Sequence, residues 1–198
     1  MTTIPDDDFA LVTVDDLKSE LNILETDTAW DRRLRRLVGA VTSGIEMYCN
    51  RKFVARTETL TFNGDGGDTL FVDPPIIIPP TPTITIDGIA LVSTTDFTVE
   101  STTGIIRLIS ETVFTEDIAN VVVTLRHGYE RAALPSAVEM AAILWAGDLF
   151  KVLSDDRHGQ SSLTHGDESV AFVPDAIPVR VLALIQPFRM VRFGGMMA

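Results

Sequence analysis

The sequence predicts an α+β protein: a small helical bundle core with an antiparallel β insert between the second and third helices. Three observations carry this expectation. Apolar residues recur in steps of three and four over 30–48 and again over 138–152. Between those stretches, residues 53–128 switch to β-branched, alternating patterns cut by Gly, Pro and Asp turns. The length, 198 residues, suits one domain with an appendage and buries roughly 70% of the unfolded surface, enough for a core without staples.

Residues 1–12 read as a polar arm. Thr13 offers an N-cap, with Asp15 and Asp16 in the first turn where the helix dipole favours negative charge, so a short helix is expected over 14–22 with Val14, Leu17 and Leu21 inward. A second helix is expected from Asp27 or Thr28. Trp30, Leu34, Leu37, Val38, Val41, Ile45 and Tyr48 draw its stripe, and Asn50, which tolerates the left-handed conformation, ends it. Val54, Thr57 and Thr59-Leu60-Thr61-Phe62 then form a strand, closed by the turn cluster Asn63-Gly64-Asp65-Gly66-Gly67. Leu70-Phe71-Val72 resumes it until Asp73-Pro74-Pro75. Ile76-Ile77-Ile78 is extended between proline pairs. Thr83 to Asp87 alternates Thr and Ile, and Asp87-Gly88 signals a hairpin. Further strands are expected at 89–92, 97–100, 105–109 and 120–127.

Pro135 suits the first position of a third helix, over 135–153, with Val138, Ala141, Ala142, Trp145, Leu149 and Val152 on one stripe. A polar loop follows over 154–176. A last short helix over 177–186 carries Val181, Leu182 and Ile185 before Pro187. The whole reads as one domain, 1–198, with helical core 13–52 and 130–187, β insert 53–128 and a C-terminal arm 187–198.

Charge narrows the function classes. With 28 acidic and 16 basic residues the net charge is −12, which excludes a generic polyanion binder, since counterion release needs a clustered positive face. The single cysteine, Cys49, excludes an intramolecular disulfide and a Cys-based zinc cluster. The acidic start lacks the apolar run of a signal peptide, and no run reaches the roughly 18 apolar residues of a membrane helix. A soluble protein of a reducing compartment is expected.

Candidate chemistry is thin. Gly64-Asp65-Gly66-Gly67-Asp68 lacks the Gly-Lys-Ser/Thr end of a P-loop and the terminal Glu of an EF-hand, so it reads as a hairpin turn. His158 and His165 lie seven residues apart in one polar loop, which is no zinc spacing. His127 ends a strand, where hydrogen bonding to backbone is the common fate. Neighbouring carboxylates at Asp15-Asp16 and Asp155-Asp156 point apart, Cys49 sits at a helix end without an evident base, and no Gly-x-Ser-x-Gly elbow occurs. No enzyme, metal or cofactor is expected.

Arg32-Arg33-Leu34-Arg35-Arg36 stands out in an acidic chain, because the N-terminal end of a helix disfavours cations. One reading is a solvated face paired with Asp31 and Glu46. Another is contact with an acidic partner, in which Arg32, Arg35 and Arg36 meet carboxylates of an adjacent subunit. Asp6, Asp7, Asp8, Asp15 and Asp16 are the candidates for that role. Phe188, Arg189, Met190, Val191, Arg192, Phe193, Met196 and Met197 make an apolar and basic terminus past a helix-breaking proline, fit for docking on another protein. In the 154–176 loop, Val170, Ala171, Phe172 and Val173 are the apolar anchor for a neighbour or a next ring, and the loop is expected to be mobile in the free protein.

Three pieces together resemble the adaptor family of phage head–tail connector proteins. They are Val14-Asp15-Asp16-Leu17-Lys18-Ser19-Glu20-Leu21 with the helix closing in Ile45-Glu46-Met47-Tyr48-Cys49-Asn50-Arg51, the strand Val121-Val122-Val123-Thr124-Leu125-Arg126-His127-Gly128-Tyr129, and Leu134-Pro135 opening a helix. They span most of 13–153. Arg126-His127 departs from the family's aromatic strand end, and the 154–176 loop is longer than in compact members. The resemblance implies a homo-oligomeric ring, usually of twelve subunits, in the virion of a tailed phage or phage-like particle, assembled in the host cytoplasm. The ring would bind the portal protein on one side and a stopper or tail protein on the other. DNA would pass through the lumen without specific binding, eased by acidic charge, and no membrane is involved. The alternative is a head-closure, tail-completion or DNA-packaging accessory protein. A packaging factor would show a basic DNA-facing patch.

Overall fold

In a computed structural model, which describes residues 7–109, 112–154, 162–165, 168–171 and 177–190, the chain is mixed α and β with antiparallel sheets. Two helices come first, α1 (Val14–Glu20) and α2 (Asp31–Cys49). Seven strands follow: β1 (Arg56–Gly64), β2 (Thr69–Phe71), β3 (Thr83–Ile86), β4 (Ile89–Ala90), β5 (Phe97–Glu100), β6 (Ile105–Leu108) and β7 (Asp117–His127). Then come α3 (Ser136–Ser154), β8 (Ser162–His165), β9 (Glu168–Ala171) and α4 (Val179–Ile185). Residues up to Asn50 and Pro135–Met190 form one compact unit, and Arg51–Leu134 belongs to a second.

In the helical unit, the cap at Thr13 is a reciprocal box. Its hydroxyl accepts from the Asp16 amide at 3.0 Å, while the Asp16 carboxylate accepts from the Thr13 amide at 2.9 Å. Helix α2 starts later than expected, because the Asp27 carboxylate accepts from the Ala29 amide at 3.0 Å and closes a separate turn. Asn50 ends α2 in the left-handed conformation, φ 52° and ψ 39°, as expected. Leu34, Leu37, Val38, Val41 and Ile45 of α2, Leu17 of α1, Val138, Ala141, Ala142 and Trp145 of α3, and Val181 and Ile185 of α4 are buried. Helices α2 and α3 approach closely at Gly44: a Cβ there would lie 2.4 Å from Cη2 of Trp145.

The segment expected as a polar loop holds a hairpin. β8 pairs antiparallel with β9, Leu163 opposite Val170 and Thr164 opposite Ser169. Two four-residue runs flanking Gly166-Asp167, a pair of the two-residue hairpin type, account for it. Phe172 and Val173 lie outside the described residues, as does most of the stretch whose mobility was expected.

In the β unit, one sheet has the order β1-β7-β3-β4 and the other β2-β6-β5. β7 is the hub of the first, with Leu60 opposite Val123 on β1 and Ile84 opposite Val123 on β3. Strand alternation sends Phe62, Ile84, Ile86, Val121, Val123 and Leu125 into one core with Leu70, Phe97, Ile106 and Leu108 of the second sheet and with Val72, Ile76 and Phe114. β7 begins three residues before the expected start, where Ala119 takes a positive φ of 56° and the register to β1 shifts between Phe62 and Gly64. The ends of the unit are laced together. The Tyr129 amide donates to Phe53 O at 2.6 Å, the Ala55 amide to Tyr129 O at 2.9 Å, and the Gly128 amide to Pro75 O at 3.0 Å. Gly128 has φ +100°, and a Cβ there would lie 2.8 Å from Phe53 O, so only glycine fits.

Candidate functional site

The arginine run on α2 is divided among three environments. The Arg33 guanidinium lies 5.9 Å from the Trp30 ring and 5.8 Å from the Phe150 ring, whose planes meet edge-on with centroids 5.4 Å apart. Arg35 lines a cleft with Val12, Thr13, Val14, Asp15 and Asp31. Arg32 and Arg36 point outward and are exposed. The in-chain partner expected for the arginines, Asp31, instead receives Lys18: the lysine is 2% exposed, its Nζ lies 2.6 Å from Asp31 Oδ1, and it donates to Glu25 O at 3.0 Å. Glu46 is buried. Asp16 is engaged in the cap of α1, and Asp15 lines the same cleft as Arg35.

A second polar group sits where the β unit closes. The Arg51 guanidinium lies 5.3 Å from the Phe53 ring and 5.7 Å from the Tyr129 ring, and donates to Pro74 O. Its Nε is 3.7 Å from Asp73 Oδ1, and the Lys52 amide donates to Asp73 Oδ2 at 3.2 Å. His127 reaches Glu58 Oε2 through Nε2 at 3.1 Å and approaches Asp73 Oδ2 through Nδ1 at 3.8 Å. The backbone partner expected for this imidazole is therefore replaced by two carboxylates. Sequence reasoning missed the group, although the signal was there: Glu58 is in phase with Leu60 and Phe62, and His127 with Val123 and Leu125. A histidine 2% exposed and held between carboxylates fastens strands and has no access to a substrate.

The terminal arm begins on α2. Pro187 lies within a single 3-10 turn, Gln186–Phe188. The Arg189 guanidinium lies 5.4 Å from the Tyr48 ring, and the Met190 amide donates to Cys49 O at 2.8 Å, satisfying a carbonyl that the helix end leaves without an intrahelical partner. Phe188 is half-buried. Val191, Arg192, Phe193, Met196 and Met197 lie outside the described residues. Cys49 is buried, its Sγ 3.6 Å from Ile185 O. Among the described residues no group of three or more His, Cys, Asp or Glu is placed to hold a metal ion, and no helix is long and apolar enough to cross a membrane.

Residues 10–191 match the head completion protein family. The chain belongs to that family. The expectation of a phage head–tail connector thus holds at the level of family. A search of curated proteins finds no match. Among solved structures, the chain shares its fold with one in the neck of an empty GTA particle computed with C6 symmetry, at TM-score 0.65 and 19% identity. It also resembles a chain in the neck of a native GTA particle computed with C12 symmetry, at TM-score 0.63 and 18% identity. A third similar chain, from the virion of a native gene transfer agent particle, gives TM-score 0.62 and 19% identity. Each comparison covers 98% of this chain and 96% of the other.

Proposed function

We propose that this head completion protein is a non-catalytic structural connector of the virion, assembled as a ring beneath the portal around the DNA channel. Its helical core, 13–52 and 130–187, and its β insert, 53–128, act as one adaptor domain within 1–198. The observation that carries this reading is the match to the head completion family over 10–191, joined to a neck-type fold over 98% of the chain. Net charge −12 fits a channel wall past which DNA slides, because like charge prevents counterion-release binding. Arg32, Arg35 and Arg36 serve contacts between subunits, Val170, Phe172 and Val173 meet the next ring, and residues beyond Pro187 dock on the portal.

Two measurements test this. Particles made without the protein are expected to accumulate as DNA-filled heads that leak and lack tails, with activity restored by supplying it in trans. Negative-stain imaging of the purified protein with its portal is expected to show an added ring of density. Tailed, infective or transfer-competent particles formed in its absence would overturn the reading.

A further inference from the structure

The turn cluster Asn63-Gly64-Asp65-Gly66-Gly67 does more than reverse the chain. It is laced to Phe114–Asn120 by four hydrogen bonds, with a fifth inside that segment. The Gly64 amide donates to Asn120 Oδ1 at 2.9 Å, the Ala119 amide to Asn63 Oδ1 at 2.7 Å, and Asn120 Nδ2 to Thr115 O at 2.9 Å. The Phe114 amide donates to Gly67 O and the Gly66 amide to Phe114 O, both at 2.8 Å. The backbones approach so closely that a Cβ on Gly64 would lie 1.8 Å from Thr115 O. Phe114 is buried beneath. This braced tip holds Glu116, Asp117 and Ile118 outward, and Ile118 is 79% exposed. A large apolar side chain fixed in water on a rigid turn is already ordered for binding, so little conformational freedom remains to be lost.

A matching surface lies on α2. Arg32 and Arg36 are exposed one helical turn apart, and the next turn on that face carries the small, exposed Ala40. No acidic residue stands three or four positions from either arginine. Both occupy the first two turns, where the helix dipole and their mutual repulsion oppose them. An anionic partner offsets both penalties together.

We propose that the tip of one copy seats on α2 of the next, Glu116 and Asp117 against Arg32 and Arg36, with Ile118 over Ala40. This rests on the ring reading above and names its subunit contact. Copies carrying −12 repel one another unless unlike patches meet. A closed ring needs two different, complementary surfaces on each subunit, and the acidic tip and the basic helix face are such a pair.

The test uses two full-length charge reversals, Arg32→Glu with Arg36→Glu, and Glu116→Arg with Asp117→Arg. Folding is verified by circular dichroism and mass is followed by sedimentation, alone and with portal. Each reversal alone is expected to lose the assembly that the wild type forms. Their equimolar mixture is expected to regain it, because reversed helix then meets reversed tip and normal meets normal around an alternating ring. Ile118→Asp is expected to raise the concentration needed for assembly by about tenfold. A reversal that assembles as the wild type does, a mixture of folded variants that fails, or a wild type that never self-associates would overturn the contact. Should mixing rescue assembly while particles complete normally without the protein, the contact stands and the connector role falls.

Discussion

His127 and Glu58 meet diagonally across the β1–β7 ladder, Nε2 to Oε2 at 3.1 Å, on the side where Leu60, Phe62, Val123 and Leu125 turn toward the core. Replacing His127 by Leu leaves Glu58 and Asp73 beside an apolar side chain. A loss of about 1–3 kcal/mol in unfolding free energy is expected, as for a buried polar group deprived of its partner. Glu58→Gln is expected to cost less, since Glu58 is a third exposed and water replaces part of the interaction. Calorimetric melting of the two variants checks the order, and equal losses would mean that Glu58 alone holds the imidazole.

The close approach of Gly44 to Trp145 sets two effects against each other. Ala is a better helix former than Gly by about 1 kcal/mol. The added Cβ would lie 2.4 Å from a rigid indole that is 8% exposed, and overpacking of this kind costs about 1–3 kcal/mol. Gly44→Ala is therefore expected to lower the melting temperature. Trp145→Ala is expected to cost about 3–5 kcal/mol, and combining the two should cost less than their sum. Chemical denaturation of all three variants supplies the cycle; strict additivity would sink the packing account.

Lys18 and Asp31 bridge α1 and the start of α2, with the ammonium buried. Lys18→Met leaves Asp31 without its nearest cation. About 2 kcal/mol is the expected loss, below the usual range for a broken buried pair because Asp31 is a quarter exposed. Adding Asp31→Asn is expected to recover part of it. Urea midpoints, read with unchanged slopes, decide.

For the C-terminal arm, truncation after Met190 and truncation after Gln186 are expected to differ. The longer product keeps the Arg189–Tyr48 contact and the Met190 hydrogen bond to Cys49, so its melting temperature stays near that of the full chain while portal binding is lost. The shorter one is expected to melt earlier. Portal pull-down and thermal melting are read together, and a longer product that still binds portal normally would rule out docking by 191–198.

Much of this fold was legible in the sequence because long periodic stretches and cap residues act locally. The 30–48 stripe, Thr13 and Asn50 each declare themselves within a few residues. The start of α2 was not legible, since Asp27 serves a turn and a cap equally well until its partner amide is known. The hairpin at 162–171 was hidden by polar composition, which outweighed its short alternation. The buried charges were hardest. Lys18 with Asp31, and Arg51 and His127 with Asp73 and Glu58, join residues far apart in sequence, so their burial follows from tertiary pairing rather than local pattern. The candidate surfaces were half legible: the arginine run was conspicuous, but that Arg33 is the member drawn inward depended on where Phe150 lies.

The hydrogen bonds that tie Phe53 and Ala55 to Tyr129 have a consequence for the chain they enclose. A segment whose two ends are fastened to each other hands the chain back close to where it received it, so the rest of the chain bears little loop-closure entropy for carrying it. Such a segment behaves as a cassette: a change of length or charge in its distant turns leaves the hydrogen bonds of the clasp in place.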